Sequence, residues 1–141
     1  YRAEQPRTKD MVALQKLGIK TILNLRLLKD DKYEARKTTM ALRHVSVNTL
    51  KMSYNEILDA IKIIDNSEKP ILIHCLHGSD RTGTVVAAYR MVKQGWTKEA
   101  AINEFKLGGY GYHEKWFPNL LRLLETLDVE KLKSDLMNSK T

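Results

Sequence analysis

The run Ile71 to Gly83, ILIHCLHGSDRTG, constrains the fold of this chain more than any other stretch. Ile71, Leu72, Ile73 and His74 form a short, mainly apolar run of the kind that fills a strand buried on both faces. The only cysteine, Cys75, follows, then a glycine-containing turn, then Arg81, Thr82 and Gly83, where an apolar helical pattern begins. The order predicts a buried strand, a loop and a helix start, with Cys75 and Arg81 as the chemical ends of the loop. Such a loop can turn several peptide N–H groups inward, and the following helix adds the positive end of its dipole. The product is an oxyanion cradle with a sulfur at its floor.

In that setting the thiolate is the favoured form of Cys75, which makes it a nucleophile at neutral pH. Six residues later Arg81 offers a planar fork that takes two oxygens of a tetrahedral dianion at once, a match that the point charge of a lysine lacks. Five intervening residues suit a loop that wraps once around a phosphate and returns the arginine to its rim. Gly78 allows a backbone conformation that a side chain would block.

His74-Cys75-Leu76-His77-Gly78-Ser79-Asp80-Arg81-Thr82-Gly83 resembles the His-Cys-x5-Arg-Thr/Ser-Gly signature of the cysteine-dependent protein tyrosine and dual-specificity phosphatases. The likeness extends from Tyr1-Arg2-Ala3-Glu4-Gln5-Pro6 to Gly108–Tyr112 and is closest to a compact bacterial dual-specificity-like group. It implies an α/β fold in one domain over 1–141, with a small central sheet flanked by helices and the phosphate loop between a central strand and a helix. It implies Cys75 as nucleophile, Arg81 as clamp, and Leu76, His77, Gly78, Ser79, Thr82 and Gly83 as substrate-binding residues. His74 supports the loop, and Thr82 offers its hydroxyl to the sulfur. The chemistry so implied is metal-independent and needs no cofactor. Four dispersed histidines and one cysteine do not make a zinc site.

A general acid is needed for a poor leaving group. In the larger phosphatase family it is an aspartate on a separate loop upstream of the cysteine. The matching region here, His44 to Ser53, holds no carboxylate, and Asp59 and Asp65 fall on the following predicted helix, where a solvated face is expected. The run Cys-x-x-Gly-x-Asp-Arg-Thr resembles a subset, the myotubularin lipid phosphatases among them, in which the loop aspartate is the proposed acid. Asp80 is accordingly the candidate acid, and a bound dianion beside it favours its protonated form. A structural role for Asp80, bonding loop N–H groups or orienting Arg81, is the other reading.

Around this centre, Tyr1 to Pro6 reads as an extended segment, and Thr8 caps a helix over 9–17 with Met11, Leu14 and Leu17 at helical spacing. Ile19 to Leu25 reads as a buried strand. The charged stretch 27–39 reads as a solvated loop or a basic rim, and Arg43 to Val47 as a second strand. A helix follows from Ser53 or Asn55 to Ile64, with Ile57, Leu58, Ile61 and Ile64 on its apolar face. Thr82 to Val92 and Lys98 to Phe105 read as two further helices, joined by a short turn at Gly95-Trp96. Their reversal returns Gly108 to His113 to the phosphate side, which makes Tyr110, Tyr112 and His113 candidates for the site wall. A last helical region carries Leu120, Leu121, Leu124 and Leu127, and Val129 to Met137 frays into a polar tail.

The net charge of +7 suits an anionic ligand, whether phosphoprotein, phospholipid head group or nucleic acid, and its sign does not choose among them. With the phosphatase resemblance, the expected partner is a phosphorylated protein or phospholipid met by a monomer, with no nucleic acid. A phosphoinositide phosphatase and a weakly active phosphate-binding fold are the alternatives. No apolar run approaches the ~20 residues of a membrane span. The chain opens at Tyr1, consistent with a trimmed N-terminus and a lost export leader, so cytoplasm and periplasm both stay open.

Overall fold

The structure, a computed structural model, describes residues 1–138. The end of the expected polar tail, Ser139 to Thr141, lies outside the described residues. Four strands, β1 (Arg2–Ala3), β2 (Thr21–Asn24), β3 (Ala41–His44) and β4 (Ile71–His74), form one parallel sheet in the order β1-β4-β2-β3. The helices are α1 (Thr8–Lys16), α2 (Tyr54–Asn66), α3 (Arg81–Lys93), α4 (Lys98–Leu107), α5 (Pro118–Glu125) and α6 (Val129–Asn138), with a 3-10 turn at Thr49–Lys51.

Period-two alternation explains why β2 and β4 read as unbroken apolar runs. Ile22 and Leu72 point to one face, where Met11 of α1, Ile19, Ala35 and Met40 cover them. Leu23, Ile71 and Ile73 point to the other, against Ile57, Ala60 and Ile61 of α2, Val85 and Ala88 of α3, and Leu120, Leu124, Leu132 and Leu136 of α5 and α6. The α3 helix is buried on most sides, from Thr82 to Met91, as its mainly apolar sequence requires.

Several boundaries differ from the sequence reading. The extended leader is a strand, because β4 offers it a free edge. Arg7 rather than Thr8 caps α1, its N–H bonded to Asp10. Leu17 is 81% exposed, since Gly18, at φ +102, turns the chain before the side chain can pack. The second strand runs over Ala41–His44 rather than 43–47. As the sheet edge it exposes every side chain, so its pattern carried no core signal. Val129 to Met137 does not fray; α6 docks through Leu132 and Leu136, and the Tyr54 hydroxyl donates to Asp135. Asp65 pairs with Lys93 at 2.7 Å rather than facing solvent alone.

Register levels the carboxyl ends of three strands, with His74 opposite Ala3 on one side and Asn24 on the other. Asn24 in turn faces His44. A crevice outside the carboxyl ends of parallel strands is where open α/β sheets place their ligands, and the phosphate loop rises from that edge.

Candidate active site

Residues 75–80 run from the end of β4 to the start of α3, and their carbonyls are pulled outward one by one. The Cys75 carbonyl oxygen lies 3.1 Å from His74 Nδ1. The Leu76 carbonyl accepts from the Gln5 N–H at 3.0 Å, and the Gly78 carbonyl from Arg2 Nη2 at 2.8 Å. The Asp80 carbonyl accepts from the N–H and hydroxyl of Thr84. In a trans peptide the C=O and the next N–H point in opposite directions. The N–H groups of Leu76, His77, Ser79 and Arg81 are therefore turned to the concave side. The cradle predicted from the loop sequence is built by β1 as much as by the loop itself.

Gly78 shows how tight this is. Its φ is +75, and a Cβ there would lie 2.6 Å from the carbonyl carbon and oxygen of Ala3. Cys75, at the floor, is 2% exposed. The Thr82 hydroxyl is buried with no hydrogen-bond partner among the described residues, so the bond expected to the Cys75 sulfur is not made. Gly83 packs beneath the loop, where a Cβ would meet the Phe105 ring at 3.1 Å. Leu76 and His77 face solvent, while Ser79 and Asp80 are buried.

Arg81 directs Nη1 to the Val47 carbonyl at 3.2 Å and the Leu25 carbonyl at 3.5 Å. The ends of β2 and of the segment after β3 thus hold the guanidinium at the rim. The Asp80 carboxylate meets the returning loop. One oxygen accepts from the His113 N–H at 2.9 Å and the other lies 2.8 Å from His113 Nδ1, with the Ser79 hydroxyl at 3.4 Å. The His113 ring stacks on Trp116 at 4.8 Å and lies 5.6 Å from that of His77. The expected reversal of α3 and α4 does bring residues 108–113 over the loop, and His113 is the residue that touches it.

Tyr112 does something else. Its ring packs on Phe105 at 4.1 Å and its hydroxyl donates to the Phe117 carbonyl at 2.5 Å. Its polar end is spent inside the chain, a packing role where the sequence suggested a substrate wall. Tyr110 lies under the Arg2 guanidinium at 3.9 Å. Burial pushes the Arg2 guanidinium below its ordinary value, against the pull of Tyr110, Glu104 and Cys75.

Three supporting residues escaped the sequence reading: Arg2, Gln5 and Asp31. The last sits in the stretch read as a solvated loop or basic rim, yet it is 4% exposed and its Oδ2 lies 2.6 Å from His74 Nε2. The buried Asn24 side chain shapes that loop, accepting from the Arg26 N–H and donating to the Lys29 carbonyl. Of the rim cations, Lys29 pairs with Glu34 at 2.7 Å and Arg36 bonds the Tyr33 carbonyl. A charged run gives no sign of which member is buried, because the partners lie 26 and 43 residues away.

Among the described residues no three metal-ligating side chains cluster, and no helix is long and apolar enough to cross a membrane.

Residues 1–119 match the family model described as dual specificity phosphatase, catalytic domain. The chain is 32% identical over 113 residues to the dual specificity protein phosphatase TpbA of Pseudomonas aeruginosa, which covers 79% of this chain and 51% of the relative. It thus spans about half the length of that curated relative. It is 27% identical over 150 residues to an inositol diphosphatase of Arabidopsis thaliana, covering 98% and 70%. The crystal structure of P. aeruginosa TpbA in complex with pTyr superposes with a TM-score of 0.88 at 28% identity, covering 98% of this chain and 85% of that one. The PP-IP phosphatase core SIW14 from S. cerevisiae shares the fold, with a TM-score of 0.78 at 22% identity over 99% and 87%.

Proposed function

The chain belongs to the dual-specificity phosphatase family, and from that premise we propose that it hydrolyses phosphate monoesters on proteins, phosphotyrosine first and phosphoserine or phosphothreonine with it, through a phosphocysteine intermediate. The observation that carries the reading is the cradle, whose carbonyls are tied outward above a buried cysteine. The likeness to TpbA, whose structure holds pTyr, supports the choice of substrate.

In this reading Cys75 Sγ attacks phosphorus, and the bond from phosphorus to the leaving oxygen breaks as the S–P bond forms. Inward N–H groups and the Arg81 fork carry the charge on the non-bridging oxygens. Asp80 gives its proton to the leaving alkoxide or phenoxide. Its carboxylate then takes a proton from the water that attacks the phosphocysteine, and the S–P bond breaks to return the thiolate. The Thr82 hydroxyl, buried without a hydrogen-bond partner among the described residues, is the group assigned in this reading to donate to the departing sulfur once the loop is occupied. His113, bonded to both Asp80 oxygens, fixes the acid's direction and couples its proton to the ring.

A phosphate-release assay on phosphotyrosine, phosphoserine and phosphothreonine peptides tests this, with Cys75→Ser alongside. The variant is expected to fall to background while still binding the phosphotyrosine peptide. Turnover by Cys75→Ser at the wild-type rate would overturn the mechanism. The second reading, hydrolysis of inositol phosphates or phosphoinositides, is favoured by the Arabidopsis relative, and the net charge of +7 is compatible with it. Faster release from those substrates than from any phosphopeptide would select it.

A further inference from the structure

We propose that the cleft between the phosphate loop and α1 holds the polypeptide flanking the phosphorylated residue of a substrate protein, and that Glu4 selects a basic residue there. The inference deepens the phosphatase reading and rests on it for the group that enters the cradle. The cleft has a volume of about 830 Å³. Its apolar lining comes from three places: Ala3 and Pro6 of the leader, Ala13 and Leu14 of α1, and Leu76 of the phosphate loop. Leu76 is 42% exposed, an apolar side chain held towards solvent one residue beyond the nucleophile. Covering it removes apolar surface from water, which favours an apolar side chain of the bound chain.

The cleft opens at the mouth of the cradle. His77 lines it, and the same ring lies 5.6 Å from that of His113, whose N–H bonds Asp80. Its walls are in place before a substrate arrives. The Gln5 N–H donates to the Leu76 carbonyl at 3.0 Å, and the backbone of Ala3 and Glu4 packs so closely on Gly78 that a Cβ there would lie 2.6 and 2.8 Å away. A pre-formed cleft spares the bound chain the cost of ordering one. An extended chain advances about 3.3 Å per residue, so the immediate neighbours of a phosphorylated residue at the mouth pass over His77 and Leu76 first.

Charge decides which phosphate ester the cleft suits. Besides His77, its ionisable side chains are Glu4, Arg7 and Asp10. Asp10 accepts from the Arg7 N–H at 2.9 Å and from its Nε at 3.4 Å, so these two answer each other. Glu4 is exposed, and among the described residues no hydrogen bond or ion pair engages its carboxylate. The cleft thus carries a carboxylate in excess on a chain whose net charge is +7. An inositol polyphosphate or an anionic lipid head group would set its further phosphates against that carboxylate and against apolar side chains, and would gain from neither. A polypeptide answers both features. An apolar side chain settles on Leu76 and Leu14, and a lysine or arginine beside it pairs with Glu4.

The test compares phosphotyrosine peptides that carry leucine and arginine beside the phosphotyrosine, on either side, with matched peptides carrying alanine and glutamate. The small ester p-nitrophenyl phosphate, which does not reach the cleft, serves as the reference. The leucine-and-arginine peptides are expected to show a kcat/KM about 10-fold higher than their matched partners. Ala13→Trp, on the exposed side of α1, fills the cleft, and Glu4→Lys reverses its charge. Both are expected to abolish the preference and to leave turnover of p-nitrophenyl phosphate unchanged, with Glu4→Lys now favouring the glutamate peptides. Folded variants that keep the wild-type preference would overturn the proposal. So would faster turnover of inositol hexakisphosphate, or of vesicles containing phosphatidylinositol 4,5-bisphosphate, than of every peptide. If no phosphate ester is hydrolysed, the phosphatase reading fails, and binding of the same peptides to the wild-type protein decides this one: weaker binding of the leucine-and-arginine peptide by Glu4→Lys upholds it, and equal binding overturns it.

Discussion

At the scale of single residues, the acid and the loop glycine carry the sharpest expectations. Asp80→Asn removes the proposed proton donor while keeping a side chain that can bond to His113, so alkyl phosphates should slow by about 10²-fold or more and aryl phosphates much less, because a phenol leaves without help. Equal losses on the two classes would make Asp80 a structural residue. Gly78→Ala places a methyl 2.6 Å from the backbone of Ala3 at a positive φ. It should cost about 1–3 kcal/mol in a denaturant titration and lower turnover with it. Asp31 adds a pH dependence. Its carboxyl sits lower in the folded protein than its unfolded value of about 3.9. The pair's contribution is therefore fully present above that value and is lost as pH falls through the folded one. Acid titration followed by circular dichroism should show stability declining below about pH 4, and less steeply in Asp31→Asn.

At the scale of elements, β1 is two residues long and still decides the site. Arg2 bonds the Gly78 carbonyl, lies over Tyr110, and so ties the phosphate loop to the returning loop from one position. Arg2→Met keeps the length of the side chain and removes both polar contacts. It is expected to raise KM for a phosphopeptide several-fold while the midpoint of thermal unfolding shifts little, since the apolar stem still packs. The helix α6 is the opposite case. Leu132 is fully buried against the core, so Leu132→Ala should cost about 2–5 kcal/mol in stability. It should leave kcat of the folded fraction unchanged, because α6 packs against α2 and α3 and supplies none of the residues of the phosphate loop.

At the scale of the whole molecule, the division between what was legible and what was not follows sequence separation. The phosphate loop, α3 and the buried strand before it were determined by the sequence alone. Their chemistry is local: an apolar run, a thiol, a glycine, an arginine and a helix start within thirteen residues. The same holds for α2 and α4, whose caps and apolar faces are written in adjacent turns. What needed the tertiary structure was every contact made across the sheet. Asp31 reaches His74 over 43 residues, Arg2 reaches Gly78 over 76, and His113 reaches Asp80 over 33. No periodicity marks a buried aspartate in a charged stretch or an arginine near the chain start, because each is defined by a partner that only strand order brings near. The order β1-β4-β2-β3 sets the ends of β1 and β2 on either side of His74. That placement turns a thirteen-residue motif into a rigid cradle. The candidate nucleophile, clamp and acid were therefore readable from the chain, and the residues that hold them in place were not.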